Sequence, residues 1–139
     1  MKKNIFIFII ALTLILTACG SGDSDTNTTS EEIGTLETVP ADFAGKTNPL
    51  GADAATDGAM VFKTNCETCH GVQGHGNGPI SEALDPKPKN LAELQAVATD
   101  DYLFWRIAEG KPGTSMPPWK NILTEDQVWQ VVTFVRTLK

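Results

Sequence analysis

The chain has 139 residues, 41% hydrophobic and 20% charged, and a formal net charge of −6. That length allows one domain with additions, and an acidic balance without a basic patch argues against a nucleic-acid partner. With only three cysteines, the chain is not a disulfide-dense scaffold.

Met1-Lys2-Lys3 is a short basic start, followed by twelve almost unbroken apolar residues from Ile5 to Leu16. A spanning helix needs about 20 such residues, so the stretch reads as a secretory signal. It ends in Leu16-Thr17-Ala18-Cys19, which resembles the bacterial lipobox. The resemblance implies a diacylglycerol on the Cys19 thiol and a mature chain beginning there; an ordinary signal with a chance Cys, or an uncleaved anchor, is the alternative. Loss of Lys2 and Lys3 leaves nine basic against 17 acidic residues. The expected organisation is a lipoprotein signal peptide over 1–18, a lipidated flexible linker over 19–47 and a folded domain over 48–139.

Residues 20–47 are rich in Ser, Thr, Asp, Glu, Asn and Gly. Such a stretch buries too little apolar surface to offset its ordering entropy. As a random coil from Cys19 to Thr47 it would reach roughly 30 Å. Val39-Pro40-Ala41-Asp42-Phe43 is its one apolar run, a candidate for docking on a partner or on the domain, or an incidental part of a mobile tether.

The domain is expected to open near Asn48-Pro49-Leu50, with Asp53 capping a helix that runs to about Asn65. Gly58 and Phe62 share one face of it, and a helix-interior Gly, costing about 1 kcal/mol, marks a close approach by another element. Cys66-Glu67-Thr68-Cys69-His70 follows. Cys-x-x-Cys-His is the attachment signature of c-type haem: two thiols at that spacing can each add to a vinyl group, and the adjacent imidazole falls under the iron. A Gly- and Pro-rich stretch runs from Gly71 to Pro88, then a short helix is expected over Leu91–Val97. A helix of about ten residues follows over Asp101–Glu109, capped by Thr99 or Asp100 and ended by Gly110. Lys111 to Trp119 reads as an extended loop carrying Met116-Pro117. Thr124-Glu125-Asp126-Gln127 is a capping box opening the last helix, with Leu123 and Val128 as a staple. Val128, Val131, Val132 and Val135 recur at helical spacing, and Arg136 and Lys139 suit the C-terminal dipole. No strand alternation or internal repeat appears.

The cysteine count closes on this reading: Cys19 goes to lipid, Cys66 and Cys69 to haem, and none is left for a disulfide. A second axial ligand could come from Met116, Met60 or His75. Met60 lies on the first helix and suits the core, and His75 sits on the same flank as His70. Met116, on a Pro-braced loop 46 residues after His70, can pass round the ring edge. A thioether favours reduced iron and raises the potential. A thioredoxin-like redox pair would need a βαβ context, and a zinc site would need adjacent ligands at 69 and 70, which strain a tetrahedron.

These motifs resemble the class I cytochrome c family across roughly residues 53–139. The resemblance implies an all-α fold of three to five helices around one covalently bound haem c. It implies axial ligation by His70 and Met116 and a crossing of the first and last helices at Gly58, Phe62 and Phe134. It also implies a Pro79 carbonyl that accepts from the His70 Nδ1–H. The family more often carries Tyr where Phe134 stands. Lys87, Lys89 and Trp105 are candidates for lining the haem propionates, since buried carboxylates need donors, with a solvated loop the alternative for the lysines. Phe104, Trp105 and Ile107 read as pocket wall, Trp119 as a docking aromatic or core residue, and His75 as a solvent-facing loop residue. The Asn-Pro-Leu start, the Cys-His-Gly-x-x-Gly-x-Gly-x-Gly-Pro run and the Gly113-Thr114-Ser115-Met116-Pro117 loop are similar to membrane-attached monohaem subunits of respiratory chains. The monohaem lipoprotein subunit of alternative complex III is the most similar of these. The resemblance implies an electron carrier rather than an enzyme, in a respiratory or photosynthetic chain, with redox proteins or complex subunits as partners. It would act outside the cytoplasm, held at the membrane by lipid on Cys19. A free tethered carrier feeding a terminal oxidase, or a five-coordinate haem enzyme or gas sensor, are the competing readings.

Overall fold

The structure is a computed structural model that describes residues 35–139; the signal stretch and Cys19 lie outside the described residues. Among these residues there are five α-helices and no strand: α1 Ala55–Asn65, α2 Glu67–His70, α3 Leu91–Val97, α4 Asp100–Glu109 and α5 Glu125–Val135. None is long and apolar enough to cross a membrane.

Helices α1 and α5 cross at Gly58. A Cβ there would collide with the Gln130 carbonyl oxygen and lie 2.9 Å from Phe134 Cβ. One turn on, the Phe62 ring stacks on Phe134 with centroids 5.0 Å apart. In a free helix Gly58→Ala would gain about 1 kcal/mol. At this crossing overpacking dominates, and we expect a net loss of about 1–3 kcal/mol. Urea unfolding checks it; an unchanged or higher midpoint would contradict the close crossing.

The core gathers Phe62, Leu103, Phe104, Val128, Trp129, Val131, Val132 and Val135, all buried. The valines favour strand on propensity, but caps and apolar spacing decide for helix. The Thr124 hydroxyl accepts from the Gln127 N–H at 3.2 Å, and Gln127 Oε1 accepts from the Thr124 N–H at 2.9 Å. This reciprocal pair satisfies two N–H groups that the helix start would otherwise leave unpaired.

Several boundaries differ from expectation. Asp53 does not cap α1; it lies inside a 3-10 turn, Ala52–Ala54, and the cap position falls on Ala54 without a side-chain bond. Helix α5 ends at Val135, so Arg136 and Lys139 are not in its last turn. Arg136 instead clamps the α3–α4 corner, with Nε donating to Asp100 Oδ1 at 2.9 Å and Nη2 to the Ala98 carbonyl at 2.8 Å. At the start of α4 the cap residue is Thr99, but its hydroxyl turns to Asp101 rather than to a backbone N–H. Met60 faces solvent, 61% exposed, and so takes no part in the core.

The largest departure concerns residues 35–47, which composition assigns to the linker. Leu36, Val39 and Phe43 pack against the core, so this segment is a strap on the domain. Phe43 meets Phe104 with centroids 6.2 Å apart, and the Gly45 N–H donates to Asp101 Oδ2 at 2.7 Å. Asn48 fastens its end, donating to the Thr133 hydroxyl at 2.9 Å. Three apolar side chains spaced along a polar stretch find their partners on the surface of the helical core.

Candidate haem site

One cavity, of about 220 Å³, brings together Cys66, Cys69, His70 and Met116. The first three arrive through local geometry. Helix α1 ends with the Cys66 N–H bonded to the Phe62 carbonyl at 2.8 Å, and the single turn α2 places Cys69 and His70 behind it. Both cysteines are free thiols. Burial first, then the neighbouring Cys69 sulfur, pushes the Cys66 thiol up to about 12. A thioredoxin-like pair needs the opposite shift, toward thiolate, so this geometry does not support a dithiol redox site.

His70 Nδ1 lies 3.1 Å from the Lys89 carbonyl. A carbonyl only accepts, so Nδ1 carries the proton and Nε2 presents its lone pair. Burial lowers the imidazole pKa, outweighing the opposing effect of that bond, and keeps the ring neutral at pH 7. The expected partner, Pro79, is not the one found. The Gly-rich loop folds back on the motif, with the Gly76 N–H bonded to the His70 carbonyl at 2.8 Å and the Gly78 N–H to the Cys69 carbonyl at 3.1 Å. That return leaves Pro79 exposed and outside the cavity lining. The chain comes back along the cavity at Leu84 and then over Pro86–Lys89.

Met116 arrives from the opposite end of the sequence on a loop braced against α4. The Lys111 N–H bonds to the Met116 carbonyl at 3.1 Å, the Met116 N–H to the Thr114 hydroxyl at 3.2 Å, and the Trp119 N–H to the Ala108 carbonyl at 3.1 Å. Gly110, at φ +67°, allows this approach; a Cβ there would lie 2.5 Å from the Pro117 carbonyl carbon. His75 is exposed outside this cavity, its Nε2 3.0 Å from the Lys139 carbonyl. Among the described residues no three His, Cys, Asp or Glu cluster as a metal site.

The walls redistribute the expected roles. Phe62, Leu103, Ile107 and half-buried Trp119 line the cavity, whereas Phe104 and Trp105 do not. On α4 the cavity side is Tyr102, Leu103, Arg106 and Ile107, and the helical turn carries Phe104 to the far side, where it stacks on Trp129 at 4.3 Å. Trp105 is buried, with its ring under the Arg106 guanidinium and edge-on to Tyr102. Lys87 lines the cavity, but its ammonium pairs with Glu82 at 2.8 Å. Lys89 contributes its carbonyl to His70. The residue missed in the sequence is Arg106, buried with its Nε unpartnered. A lone Arg inside the apolar run of α4 was the available signal.

Two thiols, a neutral imidazole, a thioether and a guanidinium with an unsatisfied N–H suit a haem, whose vinyl groups, iron and carboxylates need these donors. A strand-free helical body built around such a cavity defines the class as c-type cytochrome of class I architecture.

The comparisons agree. Residues 53–135 match the family model described as cytochrome c oxidase, cbb3-type, subunit III. Cytochrome c6 of Thermosynechococcus vestitus is 31% identical over 62% of this chain and 70% of its own. The cbb3-type cytochrome c oxidase subunit FixP of Azorhizobium caulinodans is 32% identical over 65% of this chain, which spans only 29% of that protein. Among solved structures, the KustC0563 c-type cytochrome is 34% identical with a TM-score of 0.51, covering 59% of this chain and 96% of its own. The chain belongs to the cytochrome c family and is an electron carrier rather than an enzyme. Its single Cys-x-x-Cys-His, in residues 66–70, provides for one covalently attached haem c.

Proposed function

We propose that this cytochrome carries single electrons at the outer face of a cell membrane, as a lipid-tethered monohaem subunit of an alternative complex III-like quinol oxidoreductase. The observation that carries the electron-transfer role is the convergence of Cys66, Cys69, His70 and Met116 on one cavity. Cys66 and Cys69 would hold the haem through thioethers, and His70 Nε2 and the Met116 sulfur would ligate its iron. Bound there, haem supplies one reversible Fe(III)/Fe(II) electron. The chain's part would be to offer the iron the same two ligands in each redox state and to exclude water. The Lys89 carbonyl fixes the His70 ring, and the bonded 111–119 loop holds Met116.

Membrane attachment rests on Leu16-Thr17-Ala18-Cys19. The likeness to a cbb3-type oxidase subunit favours a second reading, a tethered carrier delivering electrons to a terminal oxidase. Cys19→Ala should move the domain from the membrane to the soluble fraction; retention by the membrane would sink the lipid tether as its sole attachment. Solubilising the native protein without crosslinking and identifying what comes with it separates the two readings: quinol oxidoreductase subunits support the first, oxidase subunits or none the second.

A further inference from the structure

The cavity has one wall that belongs to the strap. Thr35, Leu36 and Glu37 line it, and the Glu37 carboxylate reaches two cations, Arg106 Nη2 and, at 3.2 Å, Lys111 Nζ. Lys111 first and Arg106 second hold the Glu37 carboxyl below the usual carboxylate range, so it is ionised at neutral pH.

Arg106 is only 7% exposed. Its guanidinium lies over Trp105, with Cζ 3.7 Å from the ring centroid, and Nη1 donates to the Gly110 carbonyl at 3.4 Å. Nη2 meets Glu37 as an ion pair rather than a well-formed hydrogen bond, and Nε has no partner. A buried donor left unsatisfied is costly. The local charge is also unbalanced, with two cations against one carboxylate at the edge of an apolar cavity. One further carboxylate would satisfy both deficits, and the haem brings carboxylates into this cavity.

The far end of the strap is fastened independently. Lys46 lies over the Phe104 ring at 5.4 Å and pairs with Glu125 at 3.6 Å, beside the Phe43 and Gly45 contacts already described. Glu37 is thus presented to the cavity from a segment held at both ends.

We propose that Glu37 is a positioning residue for the haem: from the strap it holds Arg106 and Lys111 at the cavity wall, leaving the remaining Arg106 N–H for a haem carboxylate. This rests on the haem assignment above. It makes the strap part of the redox site, because the Glu37 charge then lies in the field of the iron. A negative charge favours Fe(III), so removing it favours Fe(II).

The test is Glu37→Gln in the full haem-loaded chain, with Glu37→Asp beside it. Both variants and the parent are first stained for covalent haem after denaturation; a parent that does not stain refutes the haem assignment itself, separately from this proposal. In a redox titration, Glu37→Gln is expected to raise the Fe(II)/Fe(III) ratio at the parent's midpoint by roughly three- to tenfold, tenfold being 59 mV for one electron. Amide hydrogen exchange across residues 35–39 should quicken, and Glu37→Asp should recover most of the shift. An unchanged ratio overturns the proposal, and faster exchange with an unchanged ratio reduces Glu37 to a fastening of the strap.

Discussion

Replacing both Cys66 and Cys69 with alanine is expected to abolish covalent haem staining of the denatured protein. Each thioether forms when an S–H adds across a vinyl group, the sulfur bonding one carbon and the hydrogen going to the other, so a chain without these sulfurs has no means of attachment. The structure makes the result specific. Both thiols line the cavity that also holds His70 and Met116, and Cys19, beyond the described residues, sits 47 positions before Cys66. A single replacement leaves one thioether and should keep the stain, so the double variant must differ in kind from either single one. Staining that survives in the double variant would place the attachment elsewhere. Stability should fall as well, because Phe62, Leu103 and Ile107 are then walls around a group held only through its iron.

Met116→Ala is expected to change the electron carrier's chemistry without removing its haem. With Met116 as the proposed iron ligand, loss of its thioether should lower the potential, by a sizeable part of the roughly 0.8 V that axial ligands span across haem proteins. It also opens a coordination position. Carbon monoxide, expected to leave the reduced spectrum of the parent unchanged, should then shift that of the variant. The loop itself should survive, because it is held by backbone: the Met116 carbonyl accepts from the Lys111 N–H at 3.1 Å, and the Met116 N–H donates to Thr114 Oγ at 3.2 Å. Neither bond uses the side chain. An unchanged potential with no carbon monoxide binding would remove Met116 from the iron. Carbon monoxide binding by the parent would instead favour the five-coordinate enzyme or sensor reading.

Much of this molecule follows from local rules. The attachment motif, the capping box at Thr124 and the helical spacing of the last valines each involve residues a few positions apart. Their chemistry is therefore written in the order of the chain. The helix starts and ends that went astray did so for lack of a neighbour. Asp53 has the side chain of a cap, yet a preceding 3-10 turn carries the cap position onto Ala54. Arg136 suits a helix dipole, yet Asp100 and the Ala98 carbonyl lie within reach and claim it.

The sequence by itself determined the haem class: a Cys-x-x-Cys-His of fixed spacing, a Met-Pro loop 46 residues beyond its histidine, and caps that make the body helical. Only the tertiary structure decided which carbonyl serves His70, which cation lies buried in the cavity wall, and where the folded body begins. Lys89 replaces Pro79 because the Gly-rich loop turns back on the motif before the chain returns to the cavity. Arg106 rather than Trp105 lines the cavity because the turn of α4 carries only one of these neighbours to the cavity side. Residues 35–47, polar enough to read as linker, are held on the domain because Phe104, Asp101, Arg106 and Lys111 receive Phe43, Gly45 and Glu37. A segment's composition describes what it can bury alone, whereas its order here depends on a surface made by residues that come more than fifty positions later.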